Sequence, residues 1–375
     1  MSRAEITYTK REIKKVLPVL IVGVLYTIYM FVLLFFRLRD VCLNGYLAFS
    51  FPNYFQISEL GDVFMYWWDA CADEFHVYVI IFMEMFLIRR IFYQENRAGI
   101  SDFLRTLPVK EWKKTWIKAG VGEATIVVFC LIHGLAACAV NSVYDKPIHE
   151  ITSMIPGGVT GANTYFMIWK TIFLMFVGMS VMFFILFAAQ LYIHNMVAAY
   201  LIGAGVLATP LYITTIYWSL YEDARHLGIG NIPASMLMPF PVFDMKDVAA
   251  DMDTVSMASH VAYWDGYSGK LLFLFLFLII AIAVILLALK KRWNVWESNN
   301  AVVNSRAVMQ FIFSGISICF GTMVVMLFDD MLPVSGFEEF IFWLFSVAVA
   351  GVILLILNVV VAVMERKGKD RRKAG

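Results

Sequence analysis

Charge is scarce in this chain. Asp, Glu, Lys and Arg together make up 16% of its 375 residues, where a soluble domain carries about 25%. The 30 basic and 29 acidic residues leave a net charge of +1, so no basic footprint points to nucleic acid as a partner. The five cysteines, Cys42, Cys71, Cys130, Cys138 and Cys319, show no CxxC spacing, which removes the usual paired-cysteine metal sites. There is no GxxxxGK[ST] run to cradle nucleotide phosphates, and neither HExxH nor GxSxG occurs. His76, His133, His149, His194, His226 and His260 are scattered. The expectation is a chain with no catalytic residue, no metal ligands and no bound cofactor of its own.

Apolar residues are abundant instead. They form 61% of the sequence, with 32 Phe, 17 Tyr and 10 Trp, and they fall in long blocks. Blocks of that length predict an all-α, polytopic transmembrane helical bundle rather than one oversized soluble core. About eight spans are expected: Val16–Phe36, His76–Phe92, Trp116–Asn141, Tyr165–Ile193, Met196–Tyr217, Leu271–Leu289, Val308–Phe328 and Phe340–Met364. The first would cover about 31 Å, enough for the hydrocarbon core. Glu84 shortens the apolar run of the second. His194 and Asn195 form a tight inner turn between the fourth and the fifth.

Residues 1–15 read as a basic amphipathic lead-in, 16–364 as the transmembrane domain, and 365–375 as a basic tail. With the N-terminus inside, eight crossings put most Lys and Arg on the inner side. Both termini are therefore expected in the cytoplasm of a multi-pass cell-membrane protein surrounded by lipid. Tyr66, Trp67 and Trp68 suit an interfacial belt, and IPASMLMPFPVF suits an interface-lying or re-entrant piece. Cys42 and Cys71 both fall in the first outer loop, where a disulfide between them is open.

Three charges in apolar runs need an account, because charge in hydrocarbon is costly. Lys118 is expected to snorkel to the inner headgroups with Glu123 near it on the following turn. Glu84 marks a candidate intramembrane polar site, either neutral, paired with a nearby arginine, or facing the bundle interior.

The segment Phe92–Lys118 is the one charged, helix-compatible stretch between two strongly apolar runs. Ile100, Phe103, Leu104 and Leu107 supply an apolar stripe that Pro108 ends, as on one face of a short amphipathic helix. A helix lying only on lipid headgroups would have the same stripe. Glu95, Gly99, Phe103, Leu104, Leu107, Pro108 and the basic run from Lys110 together resemble a known pattern, and Arg105 lies within the same stretch. They are similar to the inner connection after the second helix in permease subunits of type-2 ABC exporters.

The resemblance implies a coupling helix over those residues, docking into a groove on a separate ATP-hydrolysing subunit. It further implies that 16–364 is a permease domain, with ATP and Mg bound by the partner ABC ATP-binding subunits. A second permease copy or a paralogous permease would complete the translocation pathway. The fit departs in two places. The simplest members have six spans, and the connection after the sixth span has Ala301 where a glycine would follow Glu297. The rival readings are an ion-coupled secondary transporter using Glu84, and a membrane assembly protein.

Overall fold

The computed structural model describes residues 2–50, 74–93, 108–154, 159–160, 165–193, 195–220, 245–246, 260–261, 263–264, 267–290, 306–329 and 344–360. Helices dominate: α1 Arg3–Ser50, α2 Glu74–Phe92, α3 Glu111–Met154, α4 Tyr165–Tyr192, α5 Met196–Leu220, α6 Tyr267–Lys290 and α7 Arg306–Asp329. An eighth, α8, covers Leu344–Val360. Four two-residue strands, β1 Val159–Thr160, β2 Met245–Lys246, β3 His260–Val261 and β4 Tyr263–Trp264, form two minimal ladders. β1 runs parallel to β3 and β2 antiparallel to β4.

Local chemistry sets the helix starts. Ser2 and Glu5 form a reciprocal capping box on α1, with the Glu5 N–H donating to Ser2 Oγ at 3.2 Å and the Ser2 N–H to Glu5 Oε2 at 2.8 Å. Asn195 caps α5, its Oδ1 accepting from the Val197 and Ala198 N–H groups at 2.9 and 3.2 Å. That cap accounts for the sharp reversal between α4 and α5 expected at His194–Asn195.

Side-chain contacts fix how the helices run. Lys113 meets Glu5, Gly23 lies against Phe129, Thr27 reaches His133 and Phe35 meets Tyr144. Numbers rise together along these pairs, so α1 and α3 are parallel. Met83 lies against Gly23, whereas Arg90 bonds at Lys15, so α2 is antiparallel to α1. Glu123 bonds Ser180 while Gly134 lies against Trp169, so α4 is antiparallel to α3 and parallel to α2.

α4 is the centre of this bundle. In its most apolar stretch 83% of the residues are buried, against 22% in α6. Phe183 and Phe187 are fully enclosed, and Phe187 packs on Phe92 with ring centroids 5.0 Å apart. Gly122 on α3 is what lets the two helices come so close. A Cβ there would collide with the Phe183 ring.

The expected count of about eight spans is overturned. Among the described residues, four stretches are long and apolar enough to cross a membrane: Arg3–Asp40, Glu111–Pro147, Ile168–Tyr192 and Ser268–Lys290. The other helices differ from these four. α2 has Glu84 in its middle and Arg89–Arg90 at its end. Among the described residues the apolar stretches Met196–Thr209, Val308–Met323 and Leu344–Val360 hold 10–17 residues each. The chain is thus an all-α bundle with four long apolar helices, a polytopic and mostly helical membrane protein.

The first loop also begins later than expected. α1 continues to Ser50, so Cys42 is a buried helical residue with a free thiol. Cys71, the partner considered for it, lies outside the described residues, as do Tyr66, Trp67 and Trp68.

Candidate functional site

Two polar layers stand out in the bundle. The first lies where α1 begins, α2 ends and α3 begins. Arg90 Nε donates to the Lys15 carbonyl at 2.9 Å. This contact sits beside Pro18, which lacks the N–H that would continue the helical ladder. Lys15 pairs with Glu12 at 2.7 Å, both nearly inaccessible to solvent. Lys113 reaches Glu5 at 2.5 Å, and Lys114 pairs with Glu111 at 2.7 Å. Opposite charges on three helices thus form a collar at one end of the bundle.

That collar brackets the stretch singled out in the sequence. Tyr93 closes the end of α2, its N–H donating to the Arg89 carbonyl at 2.8 Å. The chain is described again from Pro108, which is exposed, and Val109, which is buried. Glu95, Gly99, Phe103, Leu104, Arg105 and Leu107 lie outside the described residues.

The second layer is deep in the bundle. Glu84 on α2 is 1% exposed, and both of its carboxyl oxygens lack a hydrogen-bond partner among the described residues. Glu84 thus lies in the interior of the bundle, with no ion pair to an arginine among the described residues. Glu123 on α3 accepts the Ser180 hydroxyl at 2.6 Å through Oε1, while its Oε2 is unpartnered. Cys130, on α3 like Glu123, is also buried.

Lys118 departs from the expected snorkelling. It is buried, with Nζ 5.2 Å from the centre of the Phe92 ring, a cation–π contact in an apolar setting. Glu123 turns to Ser180 instead of marking the headgroup level.

A third cluster lies beside this layer. Thr27 donates to the Gly23 carbonyl at 3.0 Å, which leaves its oxygen to accept from His133 Nδ1 at 3.4 Å. The His133 ring stacks on Tyr26 at 6.1 Å. Among the described residues no three His, Cys, Asp or Glu side chains converge as metal ligands.

Sequence reasoning found Glu84 and the odd Glu123 but missed Ser180, Arg90–Lys15 and Glu5–Lys113. A serine within an apolar run carries no periodic signal, and the two ties join residues far apart in the chain. No protein family, curated protein or solved structure matches this chain.

Proposed function

We propose that the chain is the membrane-spanning permease subunit of an ATP-driven exporter of the type-2 ABC class, coupled to separate ATP-binding subunits. The observation that carries this reading is the collar around residues 94–107. The helix entering that segment is held to α1 through Arg90 and Lys15, and the helix leaving it through Lys113 and Glu5. A force applied to the segment by a docked ATPase would reach α1, α2 and α3 together rather than bend one loop. Helix movement as a connected unit is what switching of access requires.

In this reading Phe103 and Leu104 are the buried anchors of the docking helix, each contributing about 1–3 kcal/mol when desolvated in a groove. Arg105 and Glu95 orient it from the rim, Leu107 extends the stripe and Pro108 ends it. Gly99 lets the chain turn closely between α2 and the docking helix. The chain itself performs no catalysis. ATP and Mg belong to the partner subunits, and a second permease copy or paralogue completes the pathway in the cell membrane, with both termini cytoplasmic.

Copurification tests this. Wild-type, F103D and G99V chains are expressed at matched membrane levels together with the candidate ATPase. Loss of the ATPase from both variants is expected. Undiminished recovery with both would remove the segment as the coupling site. Ion-coupled secondary transport is the second reading, favoured by the unpartnered Glu84, and it predicts transport with no ATPase attached.

A further inference from the structure

The interior acids raise a separate question, which stands whichever force drives transport. α2 and α4 run parallel, and Phe92 and Phe187 mark one common level on them. About two turns back along both helices, Glu84 comes level with Met179 and Ser180. Ser180 is the residue whose hydroxyl Glu123 holds at 2.6 Å. Glu84 and Glu123 therefore lie at about one level of the bundle, among α2, α3 and α4. Three of their four oxygens have no protein partner among the described residues.

The groups facing this layer supply no direct counter-charge. From α1 come Tyr26 and Thr27, both engaged with His133 of α3. α3 adds the buried Cys130. α4 presents the neutral Ser180. From α5, Tyr200 donates its hydroxyl to the Met85 carbonyl at 2.7 Å. Lys118, held over Phe92, is five residues from Glu123, about 7–8 Å along the helix axis. Arg89 and Arg90 lie further toward the collar.

Two bare carboxylates in so dry a place repel one another and forgo their hydration. Protonation of one carboxyl relieves both penalties, and no side chain among the described residues bonds the three bare oxygens. We propose that Glu84 and Glu123 bind one exchangeable proton between them, making this layer a proton site inside the bundle. The chemistry is simple. A carboxylate takes a proton to become a carboxylic acid, which then donates a hydrogen bond to its ionised neighbour. Ser180 completes the arrangement by donating to the Glu123 oxygen. Two carboxyls that cannot both ionise and so share a proton are a known arrangement in buried sites.

Infrared difference spectroscopy on the intact protein in lipid bilayers tests the proposal. At neutral pH the wild type should give a protonated-carboxyl C=O band that shifts in deuterium oxide. E84Q/E123Q should lack it, and S180A should move its frequency. Saturating sodium or potassium at fixed pH should leave it in place. Absence of any wild-type band that the double variant loses would overturn the proposal. Loss of the band on adding sodium or potassium would also overturn it, by identifying a metal-cation site. If the double variant does not accumulate, wild type and S180A grown with carboxyl-labelled glutamate decide. A labelled band that S180A shifts supports the shared proton, and a band that neither the label nor S180A moves overturns it.

Discussion

Lys113 and Glu5 meet at 2.5 Å although 108 positions of sequence separate them. The contact joins the first turn of α3 to the first turn of α1, and Glu5 uses its other oxygen to cap its own helix at Ser2. One carboxylate thus orders a helix end and fastens it to a neighbour. K113E should lower thermal stability and, in the proposed complex, ATPase-coupled transport, by a modest amount because Lys113 is partly exposed. E5K/K113E should recover part of the loss. A double-mutant cycle on melting temperature in detergent measures the coupling, and no recovery in the swapped pair would mean that the contact is incidental.

Gly122 should tolerate no side chain. Its missing Cβ is the space occupied by the fully buried Phe183 ring, which has no free direction to move. G122A is expected to cost about 1–3 kcal/mol through overpacking. F183L in the same background should return some of it by emptying the slot. Fluorescence-detected size-exclusion after a heat step reads both.

Tyr200 ties α5 to α2 through the Met85 carbonyl at 2.7 Å. Y200F keeps the ring and removes the bond, so stability should fall by about 0.5–1.5 kcal/mol. Tyr192, which donates to the Val284 carbonyl at 2.8 Å and so joins α4 to α6, should behave alike. A Y192F/Y200F pair that melts like the wild type would show that water replaces both bonds.

The two ends of the bundle carry different segments. Arg90 and Lys113 lie at the collar, the end where the chain starts. The β1–β3 ladder ties Val159–Thr160 to His260–Val261 at the other. With the N-terminus inside, as the Lys and Arg bias predicts, an impermeant thiol reagent in intact cells should miss a cysteine replacing Ser101 and label one replacing Asp251. The opposite pattern would invert the orientation of the whole bundle.

Much of the fold is legible in the sequence because hydropathy and helix caps are local. The lengths of the apolar blocks announce α1, α3, α4 and α6, and His194–Asn195 announces the α4–α5 reversal. The span count goes astray because hydropathy alone scores α2, α5, α7 and α8 as equals of the long helices. Glu84 and Arg89–Arg90 put charge into α2, and among the described residues the apolar stretches of the other three hold 10–17 residues. The site is only half legible. An acid in an apolar run is conspicuous in any sequence, whereas its partner is a matter of register between helices. Nothing near Glu123 in the chain indicates that it faces Ser180, 57 residues away.

The enclosure of α4 also bears on how the chain is assembled. This helix matches α1 in hydropathy, and α1 leaves most of its apolar stretch uncovered, yet most of the central surface of α4 ends up against protein. A helix that enters a bilayer before its neighbours arrive is bathed in acyl chains on every side, so apolarity around the whole circumference is what early insertion selects for. Ser180 is a polar group on that helix whose hydroxyl can be satisfied by its own backbone before it packs against Glu123 of α3. The segment most hidden in the finished protein is thus the one whose composition best records its first encounter with the membrane.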